Sequence, residues 1–287
     1  MRDIDETTIT AAVQARLASC SDPRLRQILG ALVTHLHDFA REVELTEAEW
    51  QRGIEFLTAT GQMCDDKRQE FILLSDTLGL SMLVVAMNQR FPPGATEATV
   101  FGPFHTDDAP SVAQGGDLAG GAPGTPLHVR ARVTDLEGRP VENATVDVWQ
   151  ADQDGLYDVQ RPELAEQRRA RGVLRTQADG EVSFWTVAPV AYSIPVDGPV
   201  GQMLEATGRH PWRPAHVHFM VSAPGFRTLV THVFRADDAY LDADAVFGVR
   251  SSLIGDFVAH EAGQAPDGRL MPGQFFTLDQ SLVLTRA

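Results

Sequence analysis

Apolar residues in the first third of the chain recur at the spacing of an α-helix. Stripes over residues 9–17, 25–39 and 50–57 repeat every three or four positions, which places their apolar side chains on one helical face. A capping-box pattern at residues 46–49 precedes the third stripe. A further helical segment is predicted over 66–87. We therefore expect a helical N-terminal region that packs helix against helix.

The apolar period changes to two after a loop rich in Gly and Pro. Short alternating runs separated by turns then follow each other to the end of the chain, and such a pattern is typical of an antiparallel β-sandwich or barrel. Residues 158–176, rich in charged side chains, are predicted to be an exposed excursion. We expect a mainly β protein with a helical domain at 1–95 and an antiparallel β-sandwich domain at 96–287. The predicted strands are 127–133, 144–150, 181–187, 216–221, 228–234 and 276–284.

Charge and cysteine content narrow the classes of partner. The formal net charge of −15 argues against nucleic acid or an anionic membrane as a partner. The two cysteines form no CxxC pair, so a reducing, cytoplasmic setting is expected. The longest apolar run, Leu78 to Met87, is too short to span a bilayer, and the first residues lack the apolar core of a signal peptide.

His216 and His218 begin one of the predicted strands, just after Pro214. Residues i and i+2 of a strand point to the same face, so the two imidazoles would project side by side and could hold one metal ion. Two polar residues on the wet face of a half-buried strand would give the same pattern. His-x-His alone leaves both interpretations open.

Two of the three tyrosines stand at the ends of predicted strands or in loops. Tyr157 closes the segment 147–157, just beyond a predicted strand, and Tyr192 opens a Pro- and Gly-rich loop at 192–198. A tyrosine in such a place is usually a half-buried packing group with a satisfied hydroxyl. Position alone therefore does not identify either residue as a ligand.

Taken together, several segments resemble the intradiol ring-cleavage dioxygenases, the catechol 1,2-dioxygenase group. They are Asp147–Gln150, Asp154–Tyr157, Tyr192–Pro195, Arg213–His218 and Ser222–Gly225. The resemblance covers most of the chain, including the helical region before the β-sandwich. It implies that one non-haem Fe(III) per chain is held by Tyr157, Tyr192, His216 and His218.

These ligand types suit the implied metal and reaction. Ferric iron is a hard acid, and two phenolates with two neutral imidazoles leave a site of low net charge. In the family, O₂ and a vicinal diol react so that the bond between the two hydroxylated carbons breaks, which gives a muconate-type dicarboxylate. The resemblance gives Tyr192 the further role of accepting a proton from the diol. It gives Arg213 the role of stabilising negative charge on the ring.

Two segments, Ser75–Gly79 and Val100–Phe104, resemble the members of the family that cleave hydroxyquinol (benzene-1,2,4-triol). Asp76 offers a physical reason, because a carboxylate among apolar neighbours needs a partner, and the third hydroxyl would be one. A helix cap or a surface carboxylate is the alternative. In catechol-cleaving members a glutamine stands where this chain has His232, whose role is left open between pocket and packing. The substrate pocket implied by the resemblance comprises Leu73, Asp76, Val100, Phe101, Gly102, Pro103, Phe104, Ile194, Pro195, Arg213 and His232.

The expected partners are a small aromatic diol or triol, O₂ and a second copy of the chain. Relatives form homodimers through the helical region, and several hold a phospholipid in an apolar channel there, which this sequence permits. Cleavage of catechol or chlorocatechol is the alternative within the same class. A zinc hydrolase built on His216 and His218, or a metal-free β-sandwich binding module, are alternatives from other classes.

Overall fold

The computed structural model describes residues 3–65, 68–164 and 167–287, which form two compact units that meet in sequence between Ala59 and Thr60. The helices are α1 (Ile9–Leu17), α2 (Pro23–Glu42), α3 (Glu47–Gln62), α4 (Glu70–Thr77), α5 (Leu80–Asn88) and α6 (Pro199–Ala206). The strands are β1 (Gly116–Asp117), β2 (Pro126–Asp135), β3 (Thr145–Trp149), β4 (Arg171–Arg175), β5 (Glu181–Val187), β6 (Tyr192–Ser193), β7 (Trp212–Arg213), β8 (His216–Ser222), β9 (Leu229–Arg235), β10 (Ile254–Gly255), β11 (Val258–His260), β12 (Gly263–Gln264), β13 (Leu270–Met271) and β14 (Phe275–Leu284).

The first unit contains α1, α2 and most of α3, as the apolar stripes predict. Asp22 caps α2 by accepting hydrogen bonds from the backbone N–H groups of Arg24 and Leu25 at 2.8 and 3.1 Å. At the start of α3, the backbone N–H and the hydroxyl of Thr46 both donate to the Glu49 carboxylate, at 2.9 and 2.7 Å. The predicted capping box is therefore present.

The segment predicted as one helix over 66–87 is two helices, α4 and α5, with a bend of 77° between them. Gly79 lies at the bend with φ +74°, a left-handed conformation that glycine adopts without steric cost. In the described part of the chain no single helix is long and apolar enough to cross a membrane, whereas this bent pair passes by length and composition. The predicted start at residue 66 lies outside the described residues.

Among the described residues, ten strands of the second unit form two five-stranded sheets, with strand orders β1-β5-β2-β14-β11 and β10-β9-β8-β3-β4, and the pairs β6-β7 and β12-β13 form two-stranded sheets. One buried cluster draws on both sheets, and Phe184 and Phe219 contact each other with ring centroids 6.5 Å apart. The predicted β-sandwich with a helical N-terminal region is therefore confirmed. The sheets are mixed rather than strictly antiparallel, because β1/β5, β2/β14 and β9/β10 pair in parallel. The alternation of apolar and polar residues indicates which face of a strand is buried, but not whether the strand runs parallel or antiparallel to its neighbour.

The prediction of an exposed excursion at 158–176 was wrong, since it contains β4. Arg171 and Leu174 are each 1% exposed, and β4 pairs with β3 over five residues. The charged residues of this segment suggested exposure, but the charge of Arg171 is buried together with that of its partner, Asp158. A charged residue indicates the surface only when no counter-ion accompanies it into the interior.

Candidate metal centre and cavity

Two histidines at the start of β8 point to the same face of the sheet. The strand register places His218 opposite Trp149 of β3 on one side and opposite His232 of β9 on the other. His216 Nδ1 lies 2.7 Å from the carbonyl oxygen of Pro214, so Nδ1 carries the proton and Nε2 keeps its lone pair. The two Nε2 atoms of His216 and His218 are 3.1 Å apart. Both imidazoles therefore offer a nitrogen to the same point.

Two tyrosines from separate segments, a loop and the short strand β6, complete this cluster. Tyr157 follows β3 through a tight loop and is fully buried, with its hydroxyl oxygen 2.8 Å from His218 Nε2. The hydroxyl of Tyr192 lies 3.4 Å from that of Tyr157. Tyr192 belongs to β6, which pairs with β7 so that Tyr192 stands opposite Arg213. The fold thus brings all four predicted ligands together.

The spacing of the four donor atoms fits a shared metal ion. Two atoms that bind one ion at about 2.1 Å and at right angles lie about 3.0 Å from each other. The separations here are 2.8, 3.1 and 3.4 Å. Two phenol oxygens and two imidazole nitrogens are also a donor set that suits a ferric ion. The residues therefore fit the group that the sequence resemblance implies.

Burial sets the protonation of these side chains in the absence of a cation. Burial, with a smaller contribution from the Arg213 cation, lowers the pKa of His216 to about 3. Burial also lowers the pKa of His218 well below its usual value, so both imidazoles are neutral. Burial and then Tyr192 raise the pKa of the Tyr157 phenol well above its usual value. A bound cation would reverse that shift for a ligating phenol.

Arg213 is a fixed positive charge beside the cluster. Its Nη1 donates to the Tyr192 hydroxyl at 3.3 Å and lies 3.5 Å from His216 Nε2. Its Nε and Nη2 donate to the two carboxylate oxygens of Asp244 at 3.0 and 3.3 Å. Burial alone would lower the pKa of Arg213, but Asp244 and then Tyr192 outweigh it and raise that pKa. Sequence reasoning missed Asp244, because nothing in its local pattern distinguishes it from the acidic residues before it.

A cavity of about 380 Å³ opens beside the cluster, next to Tyr192 and Arg213. Nine of the eleven predicted pocket residues line it, and the two that do not are Phe101 and His232. Phe101 is 44% exposed and packs on His105 and Trp149, whereas His232 is fully buried against the rings of His216 and His218. Lining residues that the sequence did not indicate include Arg68, Glu70, His105 and Val246.

Helix α4 lines the cavity with Glu70, Leu73 and Asp76, and Arg68 lines it just before the helix begins. Asp76 is 6% exposed, and burial raises its pKa while Ser81 and Arg213 oppose the shift. Arg68 pairs at 2.9 Å both with the buried carboxylate of Glu70 and with Asp197, whose side chain is 68% exposed. Glu70 and Asp76 are separated by about 9 Å along the helix axis. A polar group therefore stands at each end of an otherwise apolar wall.

Arg171 joins the Tyr157 loop to the opposite wall of the cavity. Its guanidinium pairs with Asp158, the residue after Tyr157, and donates to the Phe104 carbonyl at 3.0 Å and to the Thr106 hydroxyl at 3.1 Å. Phe104 in turn stacks on Tyr157 with ring centroids 4.4 Å apart. The Arg171 and Asp158 side chains are 1% and 0% exposed. This ion pair therefore determines where Tyr157 can lie.

Arg171→Met should lower the free energy of unfolding by about 3–5 kcal/mol, because it leaves the Asp158 carboxylate buried without a counter-ion. Arg130→Met is the matched control, since Arg130 is also a strand residue paired with an aspartate, Asp279, but their side chains are 54% and 69% exposed. The control should lose less than about 1 kcal/mol. Denaturant unfolding at pH 7 measures both, and equal small losses would contradict a structural role for the buried pair.

Two family models together match nearly the whole chain. Residues 22–96 match the family described as catechol dioxygenase N terminus, and residues 100–284 match the family described as dioxygenase. The chain is 63% identical over 263 residues to a 6-chlorohydroxyquinol 1,2-dioxygenase from Cupriavidus pinatubonensis, with coverage of 92% of this chain and 95% of that one. It is 53% identical to a hydroxyquinol 1,2-dioxygenase from Corynebacterium glutamicum, covering 93% and 88% of the two chains.

Solved structures of similar proteins share the fold. A hydroxyquinol 1,2-dioxygenase from Pseudomonas putida DLL-E4 superposes with a TM-score of 0.90 at 49% identity, over 98% of this chain and 99% of that one. A catechol 1,2-dioxygenase from Pseudomonas arvilla C-1 superposes with a TM-score of 0.85 at 28% identity, over 100% and 93%. The two comparisons differ far more in identity than in fold.

Proposed function

This chain belongs to the intradiol ring-cleavage dioxygenases, and from that membership we propose that it cleaves hydroxyquinol with O₂ in the catabolism of aromatic compounds. The bond broken lies between the two vicinal hydroxylated carbons, and the product is 3-hydroxy-cis,cis-muconate, whose keto form is maleylacetate. The observation that carries the proposal is the identity of 63% and 53% to relatives named for the chlorinated and the parent triol. A relative and a structure named for catechol reach 38% and 28%, which makes catechol the weaker candidate.

We assign Tyr157, Tyr192, His216 and His218 as the ligands of one ferric ion per chain. The ion, when bound, supplies Lewis acidity and a template on which both oxygens of the diol are held together. The donor separations of 2.8 to 3.4 Å support this assignment, as does the neutral state of both imidazoles. Their neutrality means that no proton has to be displaced from either nitrogen over the physiological pH range.

Tyr192 and Arg213 carry the proton transfer and charge stabilisation in this proposal. The Tyr192 hydroxyl receives a hydrogen bond from Arg213 Nη1 at 3.3 Å, so its phenolate has a cationic partner even when it is not bound to metal. It is therefore suited to accept a proton from the incoming diol. The raised pKa of Arg213 keeps its charge in place, and this charge would stabilise electron density that moves through the ring towards O₂.

Asp76 is our assignment for recognition of the third hydroxyl. Its carboxylate is 6% exposed on a cavity wall that also contains the apolar side chains of Leu73, Val100 and Ile194. Burial penalises the ionised form, and its raised pKa reports that the penalty is not fully compensated. A hydrogen bond donated by a substrate hydroxyl would compensate it, whereas catechol would leave the carboxylate with Ser81 as its hydrogen-bond partner.

The purified protein should be red-brown, contain one iron per chain, and take up O₂ faster with hydroxyquinol than with catechol. Tyr157→Phe should weaken the visible band and remove the activity, because one of the two phenolates that produce charge transfer to Fe(III) is gone. Tyr240→Phe is the matched control, since Tyr240 stacks on Trp212 outside the cluster and should leave both unchanged. Metal analysis, absorption spectra and an oxygen electrode measure these outcomes. A colourless zinc protein would favour the hydrolase, and a metal-free protein the binding module.

Asp76→Ala should reduce kcat/KM for hydroxyquinol about 10- to 100-fold more than for catechol, the magnitude expected for a hydrogen bond to a charged group. The comparison of two substrates in one variant serves as the internal control, because a general loss of folding or of metal would lower both values equally. Steady-state rates at pH 7 measure the ratio. Equal losses on the two substrates would refute the assignment of Asp76 to the third hydroxyl.

We assign residues 1–95 to homodimerisation and residues 96–287 to catalysis. In α2 the residues Leu25, Leu32 and Phe39 are 45%, 49% and 53% exposed, and together with Ile28 and Leu36 they form one apolar face. Exposed faces of this kind mark interaction surfaces. A phospholipid tail is a second occupant that such a face would accept. A cytoplasmic location is consistent with the free thiols of Cys20 and Cys64.

The protein should sediment with twice the chain mass of 31.3 kDa, and Leu32→Glu should shift it towards the monomer. A carboxylate placed in the apolar face would have to be buried without a partner in the dimer. Gln27→Glu on the same helix is the control, because it replaces a polar residue and should leave the mass unchanged. Sedimentation velocity measures the mass, and native mass spectrometry detects retained lipid. A monomeric parent protein would contradict the assignment.

A further inference from the structure

His232 is fully buried next to the metal cluster, and its hydrogen bonds are unaccounted for. Neither of its ring nitrogens has a hydrogen-bond partner of ordinary geometry among the described residues. Its ring centroid is 4.0 Å from that of His218 and 4.7 Å from that of His216. A neutral imidazole has one N–H donor and one acceptor nitrogen, so a buried His232 would make two hydrogen bonds.

The Nδ1 atom of His218 is also buried without a partner in the described chain. His218 offers Nε2 to the cluster, since that atom lies 2.8 Å from the Tyr157 hydroxyl, so Nδ1 must carry the proton. A metal-binding imidazole ordinarily donates its second N–H to an acceptor, which fixes the orientation of the ring. His216 meets this rule through the Pro214 carbonyl at 2.7 Å, and His218 does not.

Among the described residues, four rings contact His218, and one of these four can supply the missing acceptor. Trp149 stacks on it at 4.6 Å, but an indole nitrogen is only a donor. The Tyr157 hydroxyl faces Nε2, and Nδ1 of His216 is already bonded to the backbone. His232 stands directly opposite His218 in the antiparallel pair of β8 and β9, and it retains a free acceptor nitrogen.

We propose that His232 is a positioning residue for His218: in the iron-loaded site it accepts a hydrogen bond from Nδ1–H of His218. This inference rests on the function proposed above. The other nitrogen of His232 would then be the donor, with the backbone of Val100 as its acceptor. Val100 lines the cavity, so these hydrogen bonds would connect the cavity wall at Val100, through His232, to the assigned ligand His218.

The proposal requires an acceptor at position 232 rather than an imidazole. Glutamine has a side-chain carbonyl that can accept from His218 and an amide that can donate to the backbone. Leucine fills a similar volume but offers neither. If His232 only packed, leucine would be tolerated and glutamine would be the worse replacement, because it introduces a buried polar group. If His232 is an acceptor, the glutamine variant should therefore be less impaired than the leucine variant. If His232 only packs, the leucine variant should be the less impaired of the two.

The hydrogen bond can be observed directly in the unsubstituted protein. Gallium(III), a diamagnetic stand-in for the ferric ion, permits nitrogen-15 NMR of labelled histidines. We expect His218 to show a downfield Nδ1-bound proton that exchanges slowly with water. The signal should persist in His232→Gln and be lost or exchange rapidly in His232→Leu. A His218 Nδ1 proton that is the same in His232→Leu as in the parent would overturn the proposal, whether or not the iron enzyme is active.

Iron release to a chelator gives a second readout. His232→Leu should release iron about 10- to 100-fold faster than the parent, which is the usual effect of removing such a partner. His232→Gln should stay close to the parent rate. His128→Leu is the matched control, because His128 is also buried with an unpartnered Nε2, but it lies in β2. Circular dichroism verifies that each variant is folded. Equal release by the leucine and glutamine variants, fast or slow, would contradict the requirement for an acceptor.

The two proposals fail in different ways. A parent protein that binds no iron and leaves hydroxyquinol intact would refute the proposed function. A parent that binds iron and cleaves the triol, with a His232→Leu variant that keeps its iron and its His218 signal, would refute only the role of His232.

Discussion

The structure depends on an electrostatic constraint at the start of β8. Two imidazoles and two phenols are buried together with donor atoms 2.8 to 3.4 Å apart. Without a cation, burial keeps the histidines neutral and the Tyr157 phenol protonated. A cation between the four side chains would bind their closely spaced donor atoms and allow the Tyr157 phenol to ionise at neutral pH. This part of the fold is therefore arranged for a positively charged occupant.

Two buried ion pairs keep the loops around that cluster in place. Arg213 with Asp244 holds a cation beside Tyr192, and Arg171 with Asp158 holds the loop that carries Tyr157. Both arginines also reach other groups, since Arg213 donates to the Tyr192 hydroxyl and Arg171 to the wall of the cavity. A buried ion pair is weak evidence for stability by itself. Here each pair also contacts a residue of the cluster or of the cavity wall on an irregular segment.

The sequence was sufficient to predict the helices and strands in which buried residues recur at a regular spacing. The helices of the first unit, strands such as β2 and β5, and the meeting of Tyr157 and Tyr192 with His216 and His218 were all predictable from spacing or resemblance. Features that depend on partners distant in sequence were not. Strand β4 was missed because Arg171 is buried by Asp158, and Asp244 and the lining residue His105 have no local pattern. The parallel pairing of β2 with β14 brings together strands from opposite ends of the sandwich domain, and no local signal reports it.

The position of His232 in the site also depends on a strand pairing that the local sequence does not indicate. The resemblance placed His232 in the substrate pocket, whereas the register of β8 and β9 buries it against His218, and it does not line the cavity. A residue in a strand that neighbours the cluster can either face the cavity or pack against the cluster from behind. Its face is set by the pairing of the strands, not by its distance along the chain.

Helix α4 links the two functions assigned to different parts of the chain. It carries Asp76 and Leu73 on the cavity wall, although it belongs to the region assigned to dimerisation. Its neighbouring residues Phe71 and Ile72 are each 46% exposed, so one short helix presents a cavity-lining carboxylate and an uncovered apolar surface. The bend at Gly79 separates α4 from α5. Helix α4 is held at its two ends by Glu70, which accepts from the backbone N–H of Val200 at 3.2 Å, and by the Thr77 carbonyl, which accepts from Arg209 at 2.7 Å. A partner that covered Phe71 and Ile72 would pack on the helix that positions Asp76. Assembly and discrimination of the third hydroxyl would then depend on the same helix.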